Sequence, residues 1–177
     1  MLTALVTMLA IAFTVQVPTE PGLYYIQNTV FVRMEGRVTV IPQSAKNAVA
    51  LTTQGTRSIK VSGRIAGTTS EHVLAASTIF YYRLPPGSEA LGGSAGDLVL
   101  VKMKVNGNIR QFEMGTAGMG EMTPGISLRN QVVLRKKLLE AQVYEITTPH
   151  PLRFGEYGLY LYRGYDRPDA MYDFTVK

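Results

Sequence analysis

The chain of 177 residues holds two histidines, His72 and His150, and a Ser–His–acid hydrolytic centre would have to be built around one of them. Ser–His–acid chemistry requires an imidazole within hydrogen-bond reach of a hydroxyl and a carboxylate. Ser70 and Glu71 stand beside His72, but only as neighbours in sequence. His150 sits in the connector Thr148-Pro149-His150-Pro151, without a neighbouring acid. A small hydrolase is therefore a minor alternative, and no residue is assigned a catalytic role. Oxygen ligands for calcium would come from Asp166, Asp169 and Asp173, with Glu156 upstream. Asp166-Arg167-Pro168-Asp169 reads instead as a turn, with proline presetting φ, aspartate bonding its own backbone and Arg167 opposing a cation. No metal site and no cofactor are assigned. Gly115-x-x-Gly118-x-Gly120 has the glycine density of a phosphate-cradling loop, but such loops open a helix, and here Thr123-Pro124-Gly125 and a further strand follow. It reads as an ordinary loop.

Tyrosine is the more informative residue type. It offers a flat apolar ring and a hydroxyl, which suits sugars, peptides and bases. Along the strand from Tyr157 to Tyr162, Tyr157, Leu159 and Leu161 share one face, and Gly158, Tyr160 and Tyr162 the other. The second face, with Arg163 beside it and Met119 from the glycine-rich loop, forms the expected ligand-binding set: Tyr160, Tyr162, Arg163 and Met119. Tyr24-Tyr25 and Phe80-Tyr81-Tyr82 carry more of the same chemistry. Against a binding role stands the use of aromatic pairs to stabilise sheets.

The elements that position these residues are strands. Val, Thr, Tyr, Gly and Pro are plentiful, no long amphipathic helical pattern occurs, and short alternating runs recur between Gly, Pro, Asn and Asp clusters. The expected strands are 22–27, 30–34, 37–41, 58–61, 77–84, 98–105, 108–114, 131–135, 142–147, 157–163 and 172–176. Asn106-Gly107 predicts a type I′ hairpin with Val105 opposite Asn108, Met103 opposite Arg110, Val101 opposite Phe112 and Val99 opposite Met114. Val99, Val101, Met103, Phe112 and Met114 then form a core face, while Leu100, Lys102, Lys104, Gln111 and Glu113 form a mostly wet one. A single helical turn is expected within Ser70–Ser77, with Ser70 as cap, and another closing Leu134–Ala141. Of the glycine-rich loops at 52–56, 91–96 and 115–125, the last is the leading functional loop. Without linker or repeat, residues 13–177 read as one domain, an all-β antiparallel sandwich of about nine to ten strands.

Composition bounds the partners. A net charge of +5 favours anionic contacts, yet the basic residues are scattered and the tight run Arg135-Lys136-Lys137 reads as solvated surface. The chain has no cysteine, which excludes disulfides and thiolate chemistry. Met1–Ala12 is apolar and shorter than the roughly 20 residues that span a bilayer. It reads as a signal-peptide core with an Ala10-Ile11-Ala12 cleavage site, although no Lys or Arg precedes it. A periplasmic or secreted location is expected, with no stable membrane span after cleavage. No nucleic-acid partner is expected.

Several segments carry a family likeness: Pro21-Gly22-Leu23-Tyr24-Tyr25, Ile79-Phe80-Tyr81-Tyr82-Arg83-Leu84-Pro85, Pro151 to Leu161, and Tyr172-Asp173-Phe174-Thr175-Val176. Together they resemble a class of uncharacterised secreted bacterial β-sandwich proteins. In those proteins an Ile-Thr-Pro-x-x-Pro-Leu lead-in precedes a Gly-Glu-Tyr strand, and an Asp-Phe pair closes the fold. Here the lead-in is Ile146-Thr147-Thr148-Pro149-His150-Pro151-Leu152, followed by Gly155-Glu156-Tyr157, with Phe154 where a proline is more usual. The likeness covers most of the chain after its apolar start and implies a fold without an assigned activity. The expected function is an exported, non-enzymatic structural or interaction module with a protein or glycan partner. The alternatives are a carbohydrate-binding module using surface tyrosines and a small hydrolase.

Overall fold

A computed structural model describes residues 17–37, 39, 59–87, 98–118, 121–124, 130–140, 142–161 and 171–177. These form an all-β sandwich of two sheets, with no helix among them. Sheet A has the order β10 (Arg135–Glu140), β11 (Val143–Thr147), β5 (Phe80–Arg83), β1 (Gly22–Gln27) and β2 (Val30–Met34). Sheet B has the order β3 (Ile59–Ala66), β7 (Ile109–Gly118), β6 (Leu98–Asn106), β12 (Gly155–Leu161), β13 (Met171–Val176) and β4 (Val73–Leu74). Two short strands flank it: β8 (Glu121–Pro124) pairs with β7, and β9 (Gln131–Val132) with β6. Thirteen strands in the described residues exceed the nine or ten expected, because chain read as loop or helical turn pairs as short strands.

All strand pairs are antiparallel except β13–β4. Alternation along each strand sends one set of side chains between the sheets. Leu23, Tyr25 and Met34 from β1–β2 and Phe80 and Tyr82 from β5 meet Leu98 and Leu100 of β6, Tyr157 and Leu159 of β12, and Phe174 and Val176 of β13. The Tyr157 ring stacks on Phe174 at 5.6 Å and 15°, joining the Gly-Glu-Tyr and Asp-Phe segments across the β12–β13 pair.

A second core lies on the far side of sheet B. β7 stays paired with β6 only over Lys104↔Gln111, Val105↔Arg110 and Asn106↔Ile109. Beyond that, β9 takes over the β6 edge through Leu100↔Val132 and Val101↔Gln131. Freed from the sheet plane, the β3–β7 ribbon folds back over sheet B and buries Ile65 and Phe112 against Val101, Met103, Tyr160 and Met171. Strand β6 is thus covered on both sides at Leu98-Val99-Leu100-Val101, a continuous apolar run that suits a doubly buried strand.

Four expectations need correction. The hairpin loop is Gly107-Asn108 rather than Asn106-Gly107, with Asn106 opposite Ile109. Only Gly107, at φ 57, is left-handed, which is the type II′ arrangement with glycine first. The pairing moves by two positions, so parity survives: Val101, Met103 and Phe112 are buried, Val99 and Met114 pack against them, and Lys102 and Lys104 stay exposed. The second face is not simply wet, because Leu100 is fully buried against sheet A. Of the expected helical turns, 135–140 is a strand, and the segment from Ser70 holds the short strand β4. The loop 115–125 is in large part a hairpin, with Gly115↔Pro124 through Gly118↔Glu121 paired. The strand expected at 37–41 falls mostly outside the described residues, with Arg37 bridging Met171. Loops 52–56 and 91–96 lie outside them entirely.

Candidate functional site

The two outer faces differ, and the tyrosines separate accordingly. Tyr160 is 3% exposed, its ring 5.9 Å from that of Phe112, inside the second core. The sequence reading made Tyr160 a surface residue. The correction comes from the β3–β7 ribbon, which covers the face that Gly158 and Tyr160 share. At Gly158 the packing leaves no room for a Cβ, which would run into the sulfur of Met171. Tyr162, Arg163 and Met119, the rest of the expected ligand-binding set, lie outside the described residues.

The same ribbon brings Arg110 into a buried ionic cluster. Its guanidinium donates to Asp173 Oδ2 and, at 3.3 Å, to Glu156 Oε2, and also bonds the carbonyls of Gly67 and Ala66. Arg110 is 0%, Asp173 1% and Glu156 6% exposed. The Thr175 hydroxyl donates to Glu156 and accepts from the Ser70 amide, and the Ser70 hydroxyl donates to the Asp173 carbonyl. Arg37 Nε approaches Asp173 Oδ1 at 3.3 Å as an ion pair without hydrogen-bond alignment. Glu156 and Asp173 were candidate calcium ligands; they come together, but around an arginine. Asp166 and Asp169 lie outside the described residues. No group of three His, Asp or Glu side chains among the described residues could hold a metal ion.

Among the described residues, neither histidine is brought to a nucleophile. His150 is exposed, and the half-buried His72 turns its ring edge-to-face with Tyr25 at 5.9 Å. Ser70 Oγ accepts the His72 backbone amide rather than meeting its imidazole. Gly92-Gly93-Ser94-Ala95-Gly96 has the Gly-x-Ser-x-Gly spacing of a nucleophile elbow, a match the sequence reading passed over. It lies outside the described residues, and strand β6 begins two residues after Gly96, whereas an elbow leads into a helix.

On sheet A the outward face stays open to one side. β1, β2 and β5 place Tyr24, Phe31 and Tyr81 there, because Tyr24 is paired with both Arg33 and Tyr81, and Ile26 with Phe31. The Phe31 ring stands edge-on to both tyrosines, 6.3 Å from Tyr24 at 83° and 5.0 Å from Tyr81 at 88°. Such edge-to-face contacts match the positive rim of one ring to the negative face of another. Arginines frame the rings. Arg33 reaches Glu20 Oε2 at 3.1 Å and the Pro21 carbonyl at 3.0 Å, and Arg83 bonds the Pro18 carbonyl at 2.8 Å. The Tyr24 hydroxyl donates to the Glu20 carbonyl at 2.9 Å. Segment 17–20 is thereby held beside the rings, leaving an open cleft of about 420 Å³ between it and Tyr24, Phe31 and Arg33. Burial, with the Glu145 carboxylate adding to it, raises the pKa of Tyr81 above its ordinary value.

Tyr24, Tyr81 and Arg83 were visible in the sequence as aromatic and basic residues, but Phe31 and Arg33 were not singled out. The signal for them was alternation in Val30-Phe31-Val32-Arg33-Met34, which turns Phe31 and Arg33 to one face. No helix among the described residues is long and apolar enough to cross a membrane. No family model, curated protein or solved structure matches the chain.

Proposed function

We propose that this chain is a non-enzymatic interaction module whose contact surface is the outer face of sheet A. The observation that carries this reading is the pair Phe31 and Tyr81, half-exposed over the buried Tyr24 and flanked by Arg33 and Arg83 beside a cleft, while the tyrosine on the other outer face is sealed into a core. Rings fixed by mutual packing lose little conformational freedom on binding, and arginine adds planar hydrogen bonding, the two residue types that dominate interface energetics. The partner is a protein segment or a glycan.

Carbohydrate binding remains the second reading, favoured by the juxtaposition in one cleft of Phe31 with the Arg33–Glu20 pair. A ring face suits the C–H face of a sugar, and a paired guanidinium and carboxylate offer a donor and an acceptor to neighbouring hydroxyls. Parallel glycan-array and peptide-display screens with wild type, Phe31→Ser and Tyr81→Ser test both readings. A ligand weakened about tenfold or more by either substitution supports the proposal, and its class selects the reading. Ligands that bind wild type and both variants equally remove it.

A periplasmic or secreted location goes with the apolar run Met1–Ala12. Amino-terminal sequencing of protein recovered from a bacterial periplasm is expected to show cleavage after Ala12. A chain retained in the cytoplasm overturns that part of the proposal.

A further inference from the structure

Strand β2 ends sheet A, and among the described residues nothing pairs with its second edge. The hairpin before it turns through Asn28 and Thr29, both left-handed at φ 49 and 67, a type I′ loop. In such a hairpin the residues flanking the loop, Gln27 and Val30, exchange backbone hydrogen bonds, and the pattern alternates from there. Val30, Val32 and Met34 therefore spend their backbone groups on β1, while Phe31 and Arg33 direct theirs outward. Unpaired edges of this kind are usually guarded by charge, proline or a bulge. The opposite edge of the same sheet is guarded: β10 carries Arg135, Lys136, Lys137 and Glu140 and a register break between Leu138 and Glu140. β2 has no proline and no break, and Val30 is 62% exposed.

We propose that two copies of the chain pair β2 against β2 across a twofold axis at Val32, continuing sheet A from one protomer into the other. The sequence of the strand is self-complementary in that register. Phe31 lies opposite Arg33 of the second copy, and both are residues whose backbone groups point outward, so the two equivalent pairs form about four backbone hydrogen bonds. Both side chains lie on the outer face and lean over β1, Phe31 against Tyr24 and Tyr81 and Arg33 onto Glu20 and the Pro21 carbonyl, so the backbone edge between them is left clear for a second copy. On the inner face Val32 meets Val32, and Val30 covers Met34. The area is small for a dimer, so association is weak and depends on concentration. The pairing also sets the two aromatic clusters side by side, doubling the surface assigned above without depending on it.

The absence of cysteine makes a clean test possible. Val32→Cys places two thiols on opposed residues about 4.5 Å apart at Cα, within the span of a disulfide. Mild oxidation is expected to convert most of that variant into a covalent dimer that reductant reverses. Val30→Cys sets its own two copies about 13 Å apart along the paired strands and is expected to stay monomeric. For the otherwise unaltered chain, sedimentation is expected to show a dimer fraction rising with concentration. Phe31→Lys, which opposes Arg33 with a like charge, removes that fraction, and Phe31→Lys with Arg33→Glu restores it. Tyr81→Ser, away from the edge, leaves the dimer intact, which separates failure of the pairing from failure of the binding face. Equal cross-linking of the two cysteine variants, or a mass of one chain over the whole soluble range, overturns the proposal.

Discussion

On the outer face of sheet B, Tyr160 packs against Phe112 and Met171 beneath the β3–β7 ribbon, and Arg110 is sealed there with Asp173 and Glu156. On the outer face of sheet A, Phe31 and Tyr81 lie half-buried against each other with arginines at the rim. Both faces are built from alternating strands that contain tyrosines. The difference between them is a departure of β7 from the sheet plane, after which one face becomes a core and the other stays a surface. Tyrosine in a strand therefore says little about exposure until the course of the neighbouring ribbon is known.

The contrast is broken most severely at the charge cluster. Arg110→Ala leaves two buried carboxylates without their main partner and is expected to cost about 3–5 kcal/mol, measured by urea unfolding. Tyr160→Ala should cost a comparable amount, about 3–5 kcal/mol, through lost burial and a cavity against Phe112. The matched change on the open face, Tyr81→Ala, is expected to cost about 1 kcal/mol or less, and similar losses at both positions would refute the contrast. Gly158→Ala pushes a methyl into Met171 and should cost about 1–3 kcal/mol, and combined with Met171→Ala, which opens that space, the loss should be smaller than the sum of the two single losses.

The smallest effect is alkaline. Burial raises the pKa of Tyr157 above its ordinary value, partly offset by Arg153, and Tyr81 is raised as well. Between the unfolded and folded pKa values the folded chain holds protons that the unfolded chain has released. The associated stability is present below the unfolded value and declines as pH rises through the folded one. Unfolding midpoints should thus hold up to about pH 10 and fall above it, less steeply in Tyr157→Phe, while tyrosinate absorbance of the native protein rises late.

Much of the fold was legible. Strands 22–27 and 30–34 occur as read, and the face assignment around Asn106-Gly107 survives a two-position change in pairing because side-chain period is two. Tyr157 and Leu159 enter the main core as their alternation implied. Arg110 was less legible, since an arginine facing Met103 in sequence gives no hint that Asp173, 63 residues away, will meet it. The double burial of β6 did leave a signal in Leu98-Val99-Leu100-Val101, which the alternating reading of Lys102 and Lys104 obscured.

Alternation and turn chemistry, both properties of neighbouring residues, determined the all-β class, most strand positions and which side chains share a face. They could not determine which face is covered, because that depends on contacts between residues far apart in the chain. Only the tertiary structure decided that β7 would leave β6 after three pairs, that Tyr160 would be a core residue, and that the aromatic surface would belong to β1, β2 and β5.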